Sequence, residues 1–300
     1  MKIIVTGANG FLGSELVKFL TLAKNEIAQI NRLNKSGFFV NTRLDQKSSI
    51  KQISEGIRSF KPDVIFHLAS ETSIKSSWDE PFDFISDNHL LAENLLDSIN
   101  LSGENPLLVI MSSSAIYDNS DEKIPENFRL APNSPYAISK LVTESVAWRY
   151  PKSIIVRPFF TIGASRRGDV IDEWLTKILN FKISGKSGIL QVGNLNYERD
   201  YLDVCDAARL LSQISEKGSP GETYNLCSGT STLLSEVCNS LIAATESKSQ
   251  VFLESNGLGD IHSRIKVLGD PTKILNLGIS THFDLKTSIS KIVMERANFD

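Results

Sequence analysis

The chain has 300 residues, of which 41% are hydrophobic and 22% charged, and its formal net charge is -3 at pH 7. This is the composition of a globular protein with enough residues for one large or two modest domains. So small a net charge excludes an electrostatic basis for binding nucleic acid or an anionic membrane surface. No apolar run reaches the ~20 residues of a membrane-spanning helix, and the chain opens on a strand pattern, so we expect a cytoplasmic protein.

The first thirteen residues, MKIIVTGANGFLG, predict a strand, a glycine-rich turn and the start of a helix. Residues 3–5 are β-branched, as in a strand buried on both faces, and Gly7, Gly10 and Gly13 follow where the chain turns. Such a turn brings backbone N–H groups and the positive end of the helix dipole to a pyrophosphate. We therefore predict a dinucleotide site here, with a plain strand-to-helix connection as the alternative.

The first half of the chain alternates short apolar runs with amphipathic segments, which is typical of a parallel sheet covered by helices. The predicted strands are 2–6, 26–31, 38–41, 63–68, 107–112 and 153–157, and the predicted helices are 11–23, 47–59, 82–100 and 136–149. The predicted fold class is thus α/β, a doubly wound parallel sheet of the Rossmann type with a smaller, mixed C-terminal domain.

The change of pattern after Pro158 predicts two domains. We assign 1–160, with about 196–228, to a dinucleotide-binding domain, and 161–195 with 229–300 to a substrate-binding domain. Pockets commonly form between domains, so we expect the substrate in the cleft between them.

The end of the second predicted strand indicates which dinucleotide binds. An acidic residue at this place hydrogen-bonds the ribose hydroxyls of NAD, whereas a nearby arginine accommodates the 2′-phosphate of NADP. This chain has Asn31, which does not repel a phosphate, and then Arg32, which offers a bidentate contact. The sequence therefore favours NADP(H) over NAD(H). A surface arginine that only follows a strand is the alternative.

Two later stretches carry hydroxyl, phenol and amine groups. The strand that ends in MSSSAIY (111–117) places Ser113 at the edge of the sheet where ligands bind, although such serines also cap or turn a chain. In SPYAISK, Tyr136 and Lys140 are four residues apart and share one helix face.

These groups predict hydride transfer between a nicotinamide and a sugar carbinol or ketone, with the proton moving through Tyr136. A tyrosine phenol has a pKa of ~10, so action near neutral pH needs a shift of about 3 units. We expect Lys140 and an oxidised nicotinamide to supply it by opposite charge, while Ser113 hydrogen-bonds the substrate oxygen.

The motifs together resemble those of the extended short-chain dehydrogenase/reductases, the NAD-dependent epimerase/dehydratase family. The resemblance covers the chain from end to end, through TGANGFLG, FHLAS with SSWDEP and Asn88, MSSSAIY, SPYAISK, RPFFTIG, VGNLNYERDYLDV, YNLCSG and GDPTKILNLG. Within the family, VGNLNYERDYLDV and SSWDEP are most similar to GDP-4-keto-6-deoxy-D-mannose reductases and the related GDP-mannose 4,6-dehydratases. The resemblance implies a nucleotide-sugar substrate and catalytic roles for Ser113, Tyr136 and Lys140.

The resemblance also implies which residues bind the cofactor and which bind the substrate. Cofactor contacts are expected at Gly7, Asn9, Gly10, Phe11, Leu12, Gly13, Asn31, Arg32, Asp45, Leu68, Ala69, Ser70, Asn88, Tyr136 and Lys140. Substrate contacts are expected at Ser114, Arg166, Arg167, Val192, Asn194, Arg199 and Arg264. Arg199 matches the family arginine on the pyrophosphate. For Arg166 and Arg167, a solvated basic loop is the alternative.

The chain departs from the family pattern at two places on the substrate side. Phe160 stands where many relatives have an asparagine beside the sugar. Asp260 stands where relatives carry a substrate arginine, and Arg264 follows four residues later.

The residues after Ser113 favour one reaction. Related dehydratases carry a carboxylate there, whereas this chain has Ser114 and Ala115. The sequence therefore favours an NADPH-dependent reductase of a nucleotide-linked 4-keto-6-deoxy sugar. A nucleotide-sugar 4-epimerase that retains its cofactor is the first alternative. A non-catalytic cofactor-binding sensor is the second, and such proteins usually lack part of the active trio.

The predicted helices 82–100 and 136–149 have more apolar positions than one sheet-facing stripe needs, and the resemblance implies a homodimer through them. No metal site is predicted, because His67 ends an apolar strand as a hydrogen-bonded core residue. Three cysteines without C-x-x-C spacing, Cys205, Cys227 and Cys238, are expected to be small buried hydrophobes.

Overall fold

The computed structural model of the chain describes residues 1–30, 44, 46–245, 251–255 and 265–297. Its strands are β1 (Lys2–Thr6), β2 (Glu26–Ile30), β3 (Val64–His67), β4 (Leu107–Met111), β5 (Ser153–Pro158), β6 (Phe160–Ile162), β7 (Gly188–Val192), β8 (Glu198–Asp203), β9 (Thr223–Leu226), β10 (Ser231–Leu233), β11 (Val251–Ser255) and β12 (Lys266–Val267). Its helices are α1 (Phe11–Leu22), α2 (Ile50–Phe60), α3 (Pro81–Ser102), α4 (Pro135–Trp148), α5 (Val170–Ser184), α6 (Val204–Lys217), α7 (Leu234–Ala244), α8 (Thr272–Leu275) and α9 (Leu285–Ala297). The predicted strand 38–41 lies outside the described residues.

Six parallel strands form the main sheet in the order β2-β1-β3-β4-β5-β9. Strands β3 and β4 are buried along their whole length, as expected of strands covered on both faces. Helices α1 and α6 cover one face, and α2, α3 and α4 cover the other. The predicted α/β fold with a doubly wound parallel sheet is confirmed. The strand order reverses beside β1, where ligands of such sheets bind.

A smaller, mixed sheet follows the main one in the chain. It contains β10, β8 and β12, and β6 pairs with β8. Strands β7 and β11 form a separate parallel pair. A third apolar core lies under α5, α7 and α9.

The stretch of about 196–228, which we assigned to the first domain, contributes to both sheets. Helix α6 packs on the main sheet and strand β9 is part of it, whereas β8 is part of the smaller sheet. The domain division at about residue 160 therefore stays a prediction. Among the helices of the described ranges, none is both long and apolar enough to cross a bilayer.

Candidate active site

The glycine turn after β1 packs backbone directly against backbone. Gly7 has a φ of +68°, and a Cβ on it would lie 2.7 Å from the backbone nitrogen of Ala69 and 2.8 Å from the carbonyl carbon of Leu68. A Cβ on Gly13 would lie 2.1 Å from the carbonyl oxygen of Gly7, and one on Gly10 would lie 3.1 Å from it. Side chains therefore have no room at the turn, which adjoins the loop after β3.

The N-terminus of α1 suits an anion. Gly10 is its N-cap and makes no side-chain hydrogen bond, and the first turn, which contains Phe11 and Leu12, has no acidic residue. Exposed Asn9 lies immediately before it. Helix N-terminal N–H groups without a side-chain cap, next to a turn with no room for a Cβ, fit a dinucleotide pyrophosphate.

Ser113 and Tyr136 meet beyond the carboxyl end of β4. Ser113 accepts a hydrogen bond from the backbone N–H of Ala115 over 3.1 Å and hydrogen-bonds Tyr136. Tyr136 lies in the first turn of α4, which Ser134 caps by accepting from the N–H of Ala137 over 3.2 Å. The strand end and the helix start thus bring the two hydroxyl groups together.

Burial raises the pKa of Tyr136, while the hydrogen bond from Ser113 and the charge of Arg166 lower it less strongly, so the net shift is upward in the protein alone. Desolvation of the phenolate thus outweighs the nearby groups of the protein. The downward shift that the sequence predicts needs an oxidised nicotinamide as well as Lys140, and it stays a prediction for the cofactor complex.

Lys140 lies one helical turn after Tyr136. Its Nζ donates to Oγ of Ser70 over 2.6 Å and to the carbonyl of Met111 over 3.4 Å, and lies 5.9 Å from the centre of the Tyr136 ring. Burial lowers the pKa of Lys140 to about 8. The amine therefore loses its charge only a little above neutral pH.

Asn88 of α3 holds the loop that carries Ser70. Its Oδ1 accepts from the N–H of Glu71 over 2.7 Å and from Ser70 over 3.2 Å. Its Nδ2 donates to the carbonyl of Glu71 and to Oγ of Ser139, both over 3.0 Å. The buried amide of Asn88 thus links this loop to α4, and its predicted contact with the cofactor stays a prediction.

A buried ion pair fixes α4 against β5. Glu144, one turn beyond Lys140, accepts from Nε and Nη2 of Arg157, each over 2.8 Å. The remaining Nη1 of Arg157 donates to the hydroxyl of Tyr117 over 3.0 Å and to the carbonyl of Glu126 over 2.9 Å. Because residues four apart share a helix face, this pair sets the rotation of the helix face that carries Lys140.

The two arginines of the ASRRGD loop face different neighbours. The Arg166 guanidinium stacks with Phe11 in the first turn of α1, and its charge makes a small lowering contribution to the pKa of Tyr136. Arg167 donates to the carbonyl of Ala164 over 2.7 Å and lies 3.5 Å from Asp172 of α5. Arg166 therefore lies against the N-terminus of α1, whereas Arg167 lies against α5.

The other predicted substrate residues lie further along the chain. Arg199 of β8 donates to the carbonyls of Glu198 and Ile265 and stacks on Tyr197, with 5.0 Å from its guanidinium carbon to the ring centre. Asn194 accepts from the N–H of Asn196 over 2.9 Å.

Two more of the predicted substrate residues have little exposed surface. Val192 is buried in the third apolar core, and its predicted contact with the substrate stays a prediction. Ser114 is half-buried in the 3-10 turn after Ser113. Four further predicted residues, Asn31, Arg32, Asp45 and Arg264, lie outside the described residues, as does Asp260.

His67 is a core residue, as the sequence predicts. Its Nδ1 lies 2.9 Å from Oγ1 of Thr6, and burial, with a smaller contribution from the charge of Lys140, lowers its pKa to about 3. Cys227 and Cys238 are buried, whereas Cys205 is partly exposed and accepts a hydrogen bond from Lys291. The described part of the chain holds no group of three His, Cys, Asp or Glu side chains placed to bind a metal.

Asp200 is a structural residue that the sequence reasoning missed. Its Oδ1 accepts from the N–H and the hydroxyl of Ser228 over 2.7 and 2.6 Å, and its Oδ2 accepts from the N–H groups of Gly229 over 2.9 Å and Gly269 over 3.2 Å. The carboxylate thus joins β8 to the loop between β9 and β10 and to the loop after β12. Its position one residue after Arg199 in the ERDYLDV motif was the available signal.

A parallel sheet of this order, with a glycine turn after its first strand and a serine, a tyrosine and a lysine beyond the strand ends, defines the short-chain dehydrogenase/reductase class of NAD(P)-dependent oxidoreductases. The chain belongs to the NAD dependent epimerase/dehydratase family, whose model matches residues 3–227.

Curated relatives are similar over most of the chain. GDP-6-deoxy-D-talose 4-dehydrogenase of Aggregatibacter actinomycetemcomitans is 29% identical over 302 residues, covering 98% of this chain and 96% of the relative. GDP-6-deoxy-D-mannose reductase of Pseudomonas aeruginosa is 28% identical over 239 residues, covering 76% and 75%.

Solved structures share the fold. RMD of Pseudomonas aeruginosa complexed with NADPH superposes with a TM-score of 0.87 at 24% identity, covering 100% of this chain and 99% of that one. UDP-glucose 4-epimerase of Thermus thermophilus complexed with NAD superposes with a TM-score of 0.83 at 23% identity, covering 99% of each.

Proposed function

We propose that the protein is an NADPH-dependent reductase of a nucleotide-linked 4-keto-6-deoxy sugar, of the GDP-4-keto-6-deoxymannose type. The observation that carries the proposal is the hydrogen-bonded pair of Ser113 and Tyr136 beside Lys140, with Ser114 and Ala115 after it. This set suits proton transfer to a carbonyl oxygen and lacks the adjacent carboxylate expected for eliminating water.

The two curated relatives support the choice of sugar. Their printed names concern GDP-linked 6-deoxytalose and 6-deoxymannose. These sugars differ only at C4, so oxidation at C4 converts both into one 4-keto sugar. A reductase of either kind therefore begins from the same GDP-linked ketone.

The cofactor pyrophosphate is assigned to the glycine turn and the N-terminus of α1, and the nicotinamide end to the surroundings of Ser70, Tyr136 and Lys140. When bound, the cofactor supplies the hydride. NADP(H) is proposed over NAD(H) on the sequence at Asn31 and Arg32.

Three side chains of the site take part in the proton transfer. Tyr136 donates its phenolic proton to the C4 oxygen, and Ser113 donates a hydrogen bond to the same oxygen and holds it near the phenol. Lys140, held by Ser70, places a positive charge beneath the Tyr136 ring while the phenolate exists. On the substrate side, Arg199 is the proposed contact for the nucleotide diphosphate.

Loss of NADPH absorbance in the presence of GDP-4-keto-6-deoxymannose tests this function. We expect one NADPH oxidised for each ketone consumed, with a reduced sugar as the product. An epimerase that retains its cofactor would interconvert two sugars with no stoichiometric loss of NADPH, and that outcome refutes the reductase. Cofactor binding without turnover of any nucleotide sugar would favour the sensor.

We also propose a homodimer through α3 and α4. These helices pack on each other and expose large apolar side chains, with Phe82 81%, Trp148 66% and Ile138 39% accessible. Large exposed apolar side chains on two helices that pack together support an interface between subunits. A monomeric mass at micromolar concentration in analytical ultracentrifugation would contradict this proposal.

A further inference from the structure

One buried guanidinium, that of Arg157 in β5, contacts both segments that carry the predicted catalytic residues. Its Nε and Nη2 donate to the Glu144 carboxylate of α4, each over 2.8 Å. Its Nη1 donates to the hydroxyl of Tyr117 over 3.0 Å, and its guanidinium carbon lies 4.9 Å from the centre of the Tyr117 ring. The side chains of Arg157 and Glu144 are only 7% and 1% exposed, so water does not compete for these bonds. The guanidinium therefore holds α4 and Tyr117 at a fixed separation.

Tyr117 ends the 3-10 turn that begins at Ser113. Ser113 caps this turn, because its Oγ accepts from the N–H of Ala115 over 3.1 Å and its carbonyl accepts from the N–H of Ile116 over 3.4 Å. The N–H of Tyr117 donates to the carbonyl of Ser114 over 3.2 Å. A single turn that is bonded at both ends moves as one body. A displacement of Tyr117 is therefore passed on to Ser113.

The hydroxyl of Tyr117 has a fixed orientation. It donates to Oδ1 of Asn225 in β9 over 2.7 Å while it accepts from Arg157. Asn225 is held in turn, because its Nδ2 donates to the carbonyl of Ile124 and its N–H donates to Oε1 of Glu126, both over 2.8 Å. Burial raises the pKa of Tyr117, so the phenol stays protonated. Tyr117 therefore fixes positions and does not exchange a proton in the reaction.

Glu144 passes the same restraint to the helix of the candidate active site. Tyr136, Lys140 and Glu144 follow one another at intervals of four residues, so they lie along one face of α4. The Nζ of Lys140 lies 5.9 Å from the centre of the Tyr136 ring, and Tyr136 hydrogen-bonds Ser113. The carboxylate that Arg157 holds is thus on the face that presents the phenol and the amine.

We propose that Arg157 and Tyr117 are positioning residues of the reaction, which together keep Ser113 within hydrogen-bonding distance of Tyr136. The inference rests on the function proposed for the same site, where both hydroxyl groups hydrogen-bond the C4 oxygen. Such a reaction is sensitive to small displacements of the groups around the reacting atom. A purely structural role would stabilise the fold without changing the rate of the chemical step.

The variant Tyr117→Phe tests the inference, because phenylalanine keeps the ring beside Arg157 and removes only the hydroxyl. Arg157 retains Glu144 and the carbonyl of Glu126, so no buried charge loses its partner and the variant should fold. Arg157→Met would instead bury the Glu144 carboxylate alone, which is strongly destabilising. We expect Tyr117→Phe to lower kcat by about tenfold to a hundredfold, with KM for NADPH and for the sugar unchanged.

Tyr150→Phe is the matched control. Tyr150 follows α4, and its buried hydroxyl donates to the carbonyl of Pro106 over 2.7 Å at the amino end of β4, remote from Ser113. The control therefore removes a buried hydroxyl without changing the turn, and it should leave kcat unchanged. An equal loss of kcat in both variants, or no loss in Tyr117→Phe, overturns the inference. A rise in KM with an unchanged kcat also overturns it.

A readout that needs no sugar is the NMR resonance of Cζ of Tyr136 in protein with ¹³C-labelled tyrosines. The chain has 6 tyrosines, so the resonance can be assigned from its loss in Tyr136→Phe. We expect it to shift in Tyr117→Phe, because the hydrogen bond from Ser113 is displaced, and to stay in place in Tyr150→Phe. No shift in Tyr117→Phe would overturn the inference. Failure of the unmodified protein to turn over the GDP-linked ketone, with the resonance shifting as expected, would reject the proposed function and leave the positioning of Ser113 intact.

Discussion

Lys140 donates a hydrogen bond from Nζ to Oγ of Ser70 over 2.6 Å, which ties the helix of the candidate active site to the loop after β3. Asn88 holds the same loop through Ser70 and Glu71 and reaches α4 through Ser139. The lysine is thus positioned by a chain of hydrogen bonds, most of them partly buried, between α3, the loop and α4. The position proposed for Lys140 in the reaction therefore depends on how α3 and this loop pack against α4.

We expect Ser70→Ala to lower kcat/KM by about tenfold to a hundredfold, because a charged hydrogen bond of about 1.5–3 kcal/mol is lost from the lysine. Steady-state kinetics with NADPH measure this. Ser73→Ala is the control, since the partly exposed Ser73 hydrogen-bonds Ser76 and makes no hydrogen bond to Lys140 in the described residues. Equal losses in both variants would show that Lys140 does not depend on Ser70.

We expect Lys140→Met to stabilise the fold while it abolishes turnover. Burial lowers the pKa of Lys140 from 10.5 to about 8, which corresponds to about 3 kcal/mol of unfavourable free energy at pH 7. Because the folded pKa lies below the unfolded one, this cost is complete below pH 8 and disappears as the pH approaches 10.5. The gain in the free energy of unfolding should therefore shrink with rising pH.

Urea unfolding at pH 7 and near the upper end of that range measures the difference. Lys186→Met, at an exposed position, is the control and should change the free energy of unfolding little at either pH. A gain for Lys140→Met that does not depend on pH would contradict the argument from the buried charge.

We expect Glu144→Gln to lower the free energy of unfolding by about 3–5 kcal/mol, because it leaves the buried guanidinium of Arg157 without its carboxylate. The double variant Glu144→Gln with Arg157→Met should lose less than the sum of the single losses, since no charge is then buried. Chemical denaturation of the four proteins completes the cycle. Additive losses would mean that the two side chains do not interact.

We expect Gly13→Ala to prevent NADPH binding, because its Cβ would lie 2.1 Å from the carbonyl oxygen of Gly7. Gly10→Ala should weaken binding less, since its Cβ would lie 3.1 Å from the same oxygen. NADPH fluorescence titration measures both affinities, and circular dichroism checks that both variants fold. If the two variants bound NADPH equally well, backbone packing of the turn would not be what Gly13 provides.

The main sheet is largely predictable from the sequence. The runs of buried, β-branched residues predict β1 to β5 within one residue at either end, because strands covered on both faces are continuously apolar. Strand β9 was not among the predicted strands. Its four residues join the edge of the sheet beside β5, and that pairing depends on contacts distant in sequence.

The candidate site is predictable only in part. Ser113, Tyr136 and Lys140 come together because a strand end and a helix face fix their positions locally. The stacking of Arg166 on Phe11 and the linking role of Asn88 depend on how loops pack against distant elements, which periodicity does not encode. The upward pKa shift of Tyr136 likewise follows from burial, a property of the whole fold.

The central claim, hydride transfer to C4 with Tyr136 as the proton donor, is tested most directly with NADPH deuterated at the transferred position of the nicotinamide. GDP-4-keto-6-deoxymannose is incubated with this cofactor, and the product is analysed by NMR and mass spectrometry. We predict one deuterium in each product molecule, bonded to C4, and none with Tyr136→Phe. A reduced product without deuterium at C4, or unchanged deuterium transfer by Tyr136→Phe, would contradict the account.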